Sequence, residues 1–271
     1  MTTWLTDIFG TEKVAIGLVH LKALPSDPMY DFKGGMEKVI DSAKHDIVAL
    51  QNGGIDGLMF SNEFSFPYQN KVSQEVLAAM AYVIGVVKPI IKVPFGSNVI
   101  SDPSASIALN AAVGGQYTRG QFAGCFSSNS GIVNQDVGAH QRHKANLRMD
   151  NFKIIHYVRP ESSRDLGGRT IQETVKTANF ENMVDAFGVS GSIAGQKIDM
   201  NVLKEIKNTA PNQVVFATTG LTLDSIEEIY SKVDGAFVAT YFKKDGIFEN
   251  PVDENRVKSF MDKLKDFRSK N

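Results

Sequence analysis

A hydrophobic burst recurs about eight times along this chain, and each burst ends in polar residues and a loop. The first is VAIGLVHL, residues 14–21. The others are IDGLMFSNE, PIIKVPFGSN, GQYTRGQF, FKIIHYVRP, MVDAFGVSG, QVVFATTG and GAFVATYFK. The runs are too rich in apolar residues for simple in–out alternation. Strands covered on both faces read this way, and such strands are parallel. Most bursts lead into a helix-like stretch. Eight strand–helix units in 271 residues specify a single (β/α)8 TIM barrel over residues 1–271, with a short lead segment at 1–13. A barrel of this kind does its chemistry at the C-terminal ends of its strands, so the fold nominates the residues to inspect.

Composition narrows the function classes. Lys plus Arg number 29 and Asp plus Glu 30, giving a net charge of −1 and no global attraction to nucleic acid. Cys125 is the only cysteine, so no intramolecular disulfide can form, and a reducing cytoplasm is the simplest location. Residues 1–13 carry acidic side chains and no long apolar stretch, which argues against a signal peptide. No apolar run reaches membrane-spanning length, so no integral membrane association is expected. The lead segment groups Trp4, Leu5, Ile8 and Phe9. It reads as a plug for the closed end of the barrel ahead of a dimer or membrane-surface contact, because it has no basic face.

Helices are expected at 36–52, 72–87, 170–178, 201–208, 224–231 and 253–267, with Asp102 and Asp199 as N-caps and Pro103 opening a helix. Strands are expected at 55–60, 89–95, 152–158, 183–189, 214–218 and 235–240. The fourth strand, within GGQYTRGQF, is short and broken by glycine. The stretch 120–131 reads as a long loop, either a lid or a structural connection.

The strand ends collect a polar set. His20 and Lys22 follow the first strand, Asn62 and Glu63 the second, and Asn98 the third. Arg119 and Gln121 belong to the fourth, and His156, Arg159 and Glu161 to the fifth. His20 suits general acid–base work near neutral pH or a structural hydrogen bond. Glu63 suits a base, or a salt bridge to Arg119 or Lys22. His156 lies inside the apolar run IIHYV and fits a satisfied core histidine as well as a catalytic one. Arg159 and Glu161 could pair on the rim.

A second set is small and rich in hydroxyls: Ser190-Gly191, Thr218-Thr219-Gly220 and Ala239-Thr240. Glycine lets backbone N–H groups approach an anion, and barrels often hold phosphate after strands seven and eight. Tight turns would also demand small residues. No cysteine cluster or His-x-x-x-His pair suggests a metal, although Glu63 with a substrate phosphate leaves a divalent ion open. The two histidines of HQRHK, 140–144, read as helix surface. No Gly-x-Gly-x-x-Gly or P-loop supports a nucleotide cofactor.

These residues also carry a resemblance. GLVHLKALPSDP is similar to the Val-His-Leu-x-x-Leu-Pro-Gly-x-Pro opening of the BtpA/SgcQ family. NGGIDGLMFSNE, GSIAGQKID and DGAFVATYFKKDGIFENPVDENRV resemble its later motifs. The resemblance covers nearly the whole chain and implies a ribulose-phosphate-binding-type barrel. It implies no settled reaction: cyanobacterial members are linked to photosystem I accumulation, and others sit among sugar-uptake and sugar-metabolism proteins. His20, Arg119, Asp199, Gly220 and Lys243 carry over by position. Departures gather at the strand ends, where Ser61-Asn62-Glu63 replaces Glu-Asn, Arg119-Gly120-Gln121 replaces Arg-Val-Asn, and Ala194 replaces a turn threonine.

Two expectations follow. One is an enzyme performing isomerase, epimerase or aldolase-type chemistry on a small phosphorylated sugar or related metabolite. His20 and Glu63 would move protons, with His156 a further candidate, and Lys22 and Arg119 would stabilise charge. Ser190, Gly191, Thr219, Gly220, Ala239 and Thr240 would hold phosphate, and Asn62, Asn98, Arg159 and Lys243 would contact substrate. The other is a non-catalytic assembly factor or metabolite-binding protein. A homo-oligomer is expected by analogy with the fold.

Overall fold

The computed structural model describes residues 3–192 and 195–270. The chain runs α1 (Trp4–Phe9), β1 (Val14–His20), α2 (Gly35–Asn52), β2 (Gly57–Ser61), α3 (Gln74–Val87), β3 (Phe95–Asn98), α4 (Pro103–Val113) and β4 (Tyr117–Gly120). It continues through β5 (Gly124–Ser128), β6 (Gly131–Gln135), α5 (Val137–Asn146), β7 (Lys153–Tyr157), β8 (Arg164–Asp165), α6 (Ile171–Glu181) and β9 (Ala186–Val189). It ends with α7 (Met200–Thr209), β10 (Val214–Ala217), α8 (Ile226–Tyr230), β11 (Gly235–Val238) and α9 (Glu254–Lys270).

Eight strands form one parallel sheet in the order β3-β2-β1-β11-β10-β9-β7-β4. This is a (β/α)8 barrel with one joint that lacks a ladder among the described residues, between β3 and β4. The Gln116 N–H donates across it to the Phe95 carbonyl at 2.8 Å. Gly96 allows the close approach there, since a β-carbon would collide with the Tyr117 carbonyl.

Each barrel strand divides its side chains between two cores. Val14, Ile16, Leu18, Met59, Tyr117, Ile155, Ala186, Val214, Phe216 and Phe237 fill the lumen. Ala15, Val19, Leu58, Phe60, Phe95, Phe187 and Val215 face the helices. Helix α1 closes the N-terminal end of the lumen as a plug. Leu5 is buried there, Trp4 stacks on Phe216 with centroids 6.1 Å apart, and Phe9 meets Tyr117 at 5.3 Å. The Trp4 indole N–H donates to the Asp185 carbonyl at 3.1 Å.

Two expectations are corrected. The third strand lies at Phe95–Asn98 and not at 89–95. Residues Lys88–Ile90 form a 3-10 turn containing Pro89, and Ile90, Ile91 and Val93 pack against the helix-side core. Pairing with β2 begins only at Phe95, opposite Leu58. The stretch read as a loop at 120–131 instead enters a three-stranded antiparallel ribbon, β6-β5-β8. Asn70 donates to the Ser130 carbonyl, and the Ser130 hydroxyl donates to the Tyr68 carbonyl. The ribbon therefore ties together the loops that follow β2, β4 and β7. The N-caps hold as read: Asp102 accepts from Ala105 N–H, and Asp199 from Asn201 and Val202 N–H.

Candidate active site

Strand alternation decides which side chains reach the mouth. The lumenal series on β1 ends at His20, that on β2 at Ser61, and that on β4 at Arg119. The same parity points Tyr157, Ser190, Thr218 and Ala239 inward. It points His156 outward, because Ile155 is lumenal. His156 is buried, and its Nδ1 accepts the Phe122 N–H at 3.4 Å. Burial, then the charge of Arg169, lowers its pKa to about 4. In this structure its role is that of a neutral core acceptor.

Arg119 lies at the centre of the mouth and is 8% exposed. Its guanidinium stacks over Phe237, 4.6 Å from the ring centroid. Nη1 donates across the lumen to the Thr218 carbonyl at 3.3 Å. The buried Nε has no hydrogen-bond partner, and no carboxylate lies within ion-pair distance among the described residues.

Two carboxylates share its field. Glu63 accepts from the Ser61 hydroxyl at 3.0 Å, and the Tyr68 hydroxyl donates to the Glu63 backbone carbonyl at 2.9 Å. Burial raises the Glu63 pKa, with Arg119 pulling against it. Burial pushes the Glu161 carboxyl up to about 7, again against Arg119, and Glu63 adds to the rise. Glu161 does not pair with Arg159. Arg159 is exposed and lies 4.0 Å from Asp199. Glu161 is a functional candidate that the strand-end reading left open to a rim pair, and the charge of Arg119 acting on its buried carboxyl distinguishes it.

His20 is buried with both ring nitrogens unpartnered, and its Nε2 lies 3.8 Å from Glu63, beyond hydrogen-bonding distance. Burial and then the charges of Lys243, Arg119 and Lys22 hold its pKa well below the usual histidine value, so the ring is neutral near pH 7. An aromatic wall missed in the sequence rises beside it. The His20 ring meets Phe248 at 5.3 Å, Phe248 meets Phe64 at 5.1 Å, and Phe66 meets Tyr68 at 5.1 Å. Lys22 sits 4.4 Å above the Phe64 ring and donates to the Glu249 carbonyl at 3.0 Å. Burial, then the Lys243 charge, lowers its pKa.

Three residues expected to touch substrate have structural partners. Asn62 accepts the Ile100 N–H at 2.8 Å, fastening the loop after β3. Lys243 is buried and donates to Asp46 of α2 at 2.6 Å, while Asp46 also accepts the Val252 N–H at 2.8 Å. Arg159 leans toward the Asp199 cap. Asn98 is buried at the end of β3, on the lumenal parity.

The small, hydroxyl-rich set meets at three adjacent strand ends, β9, β10 and β11. The Gly191 N–H donates to the Thr219 hydroxyl at 3.0 Å, and the Ser190 hydroxyl to the Arg159 carbonyl at 3.3 Å. Gly220 has φ of 70°, and a β-carbon there would collide with the Gln196 carbonyl. Ala239 leads into the 3-10 turn Thr240–Phe242. A small cavity lies beside this set, lined by Gly188, Ser190, Gly191, Ser192, Arg159 and Asp199. Ala194 lies outside the described residues. Among those residues no group of three His, Cys, Asp or Glu is placed to hold a metal. His140 of α5 is buried and bonds Gln135, while His143 meets Ser104.

The BtpA family model matches residues 11–266. The chain belongs to the BtpA family. This BtpA-family chain is 45% identical to the putative sgc region protein SgcQ of Escherichia coli, over 98% of this chain and 99% of that protein. It is 26% identical to the photosystem I biogenesis protein BtpA of Synechocystis, over 96% of this chain and 91% of that one. Among solved structures, phosphoribosyl anthranilate isomerase from Thermus thermophilus aligns with a TM-score of 0.54 at 10% identity, covering 94% and 100% of the two chains. Thiamine phosphate pyrophosphorylase from Pyrococcus furiosus aligns at 0.53 and 13%, covering 94% and 96%. At these identities the structural likeness establishes the barrel for this BtpA-family member and nothing finer. No helix among its described residues is long and apolar enough to cross a membrane.

Proposed function

We propose that the protein binds a small phosphorylated sugar or related metabolite at the barrel mouth and moves a proton beside its carbonyl. The reading rests on one observation. A buried guanidinium with an unpartnered Nε acts by its charge on two carboxyl groups of raised pKa and on a buried, unpartnered histidine. A carboxyl poised near neutral pH both takes and returns a proton. A desolvated arginine stabilises the charge that develops on oxygen. Glu63 and Glu161 are assigned to proton transfer, His20 to a hydrogen bond from neutral imidazole, and Arg119 to the oxyanion. The loops at 190–191, 219–220 and 239–240 are assigned to the phosphate. Isomerase, epimerase and aldolase-type reactions share this step.

The first test is a thermal-shift screen of phosphorylated sugars and inorganic phosphate, with wild type beside Gly220→Ala. Stabilisation lost in the variant supports phosphate at the β10 loop. Deuterium uptake from solvent into the ligand then reports proton transfer. Uptake undiminished in both Glu63→Gln and Glu161→Gln refutes the assigned roles. The 26% identity to a photosystem I biogenesis protein supports a second reading, a non-catalytic binding protein. It predicts ligand or protein binding with no exchange of carbon-bound hydrogen.

A further inference from the structure

The free edge of Arg119 specifies the ligand more closely than the phosphate loops do. A guanidinium has two donor edges that match a planar carboxylate, one of them formed by Nε and Nη2. Here Nη1 is spent on the Thr218 carbonyl and one flat face on Phe237, which fixes the plane of the group. Nε is buried without a partner, and Nη2 has no hydrogen bond among the described residues. What remains is a rigid two-donor edge inside the lumen. A buried charged donor left unpaired is unfavourable, so a ligand that pairs this edge recovers that penalty.

The surroundings favour one kind of anion. Glu63 lies in the same mouth, 3.8 Å from the His20 ring, and its negative charge would disfavour a phosphate dianion more than a carboxylate monoanion. A monoanion with two coplanar oxygens carries less charge and fits the fork. The hydroxyl-rich strand ends of β9, β10 and β11 remain for a phosphate.

We propose that the Nε–Nη2 edge of Arg119 binds a carboxylate, so that the substrate is a sugar acid phosphate or a closely related phosphorylated hydroxy or oxo acid. The inference rests on the proposed function of the same site and sharpens it. A carboxylate on Arg119 sets its α-carbon beside the acid–base groups. When the α C–H bond breaks, the proton goes to a glutamate carboxylate. The electron pair forms a C=C bond, and charge accumulates on the carboxylate oxygens that Arg119 already holds. Return of the proton restores the neutral glutamic acid to carboxylate.

Titration calorimetry with four probes tests this: inorganic phosphate, glucitol 6-phosphate, 6-phosphogluconate and gluconate. The two six-carbon phosphates differ only in carrying a hydroxymethyl or a carboxylate at C1. 6-Phosphogluconate is expected to bind at least about tenfold more tightly, as a charge-assisted pair predicts. Arg119→Lys keeps the charge and removes the fork, and should reduce that preference to about threefold or less. Because Arg119 also braces Thr218 and Phe237, the wild-type Arg119 Nε–H proton provides a second readout. Its NMR resonance should shift with 6-phosphogluconate and not with glucitol 6-phosphate. Equal affinity for the two phosphates overturns the carboxylate and leaves the phosphate reading standing. Gluconate binding without either phosphate or glucitol 6-phosphate does the reverse. A preference that survives Arg119→Lys, or no binding by any probe at millimolar concentration, overturns the proposal.

Discussion

Replacing Lys243 with methionine separates a structural lysine from a ligand-binding one. The Lys243 side chain is 2% exposed, and its ammonium donates to Asp46 Oδ2 at 2.6 Å. The other Asp46 oxygen accepts the Val252 N–H, and His45 lies 3.4 Å away. Methionine fills similar volume but leaves a buried carboxylate without its countercharge, which costs about 3–5 kcal/mol. Unfolding entropy of about 2.1 cal/mol/K per residue, over a chain of this length, converts that loss to a fall in Tm of roughly 5–9 °C. Thermal and urea unfolding followed by circular dichroism would measure it. Changing Asp46 to leucine in the same chain should recover part of the loss, since an apolar pair of similar size replaces the ion pair at little cost. A Tm within about 2 °C of wild type, together with lost ligand binding, would refute the structural assignment and return Lys243 to the substrate.

Further outcomes follow from the same geometry. Glu161 has a higher pKa folded than unfolded, so folding takes up a proton between about pH 4.5 and about 7. Wild-type stability should therefore decline relative to Glu161→Gln as pH rises through that window, and urea titrations at pH 5 and pH 8 check the sign. His156→Leu leaves the Phe122 amide without its acceptor and should cost about 1–3 kcal/mol in stability. It should leave the affinity for any mouth ligand unchanged, and an affinity loss without destabilisation would count against the outward assignment. Leu5→Ala hollows the plug and should cost about 2–5 kcal/mol, with ligand binding at the opposite end preserved.

The barrel was legible because eight apolar bursts need cover on both faces, and few architectures provide that for so many parallel strands. The helix starts at Asp102 and Asp199 were legible for a local reason: a carboxylate two or three residues ahead of a free N–H is a short-range signal. The third strand misled because PIIKVPF is more apolar than FGSN. The ladder to β2 instead forms on FGSN, and the apolar segment is spent on helix packing. His156 was ambiguous because IIHYV is apolar at every neighbour, so its parity could not be counted from the sequence. The partners of Lys243 and Asn62 lie on other elements, which strand-end reading cannot see. Glu161 was visible as a residue, but its nearest formal partner in sequence, Arg159, turned outward to Asp199.

The unladdered joint between β3 and β4 has a mechanical consequence. Among the described residues the ring is held by seven ladders and one seam bridged by the Gln116–Phe95 backbone bond, and it gapes at that seam first because no row of hydrogen bonds has to break there. Asn98 ends one lip of that seam, and Arg119 lies on the other. The width of the mouth beside Arg119 is thus set at the least tied joint of the ring. A ligand that touches both lips acts as a clasp, and its grip would be felt as slower amide exchange along Phe95–Asn98 and Tyr117–Gly120.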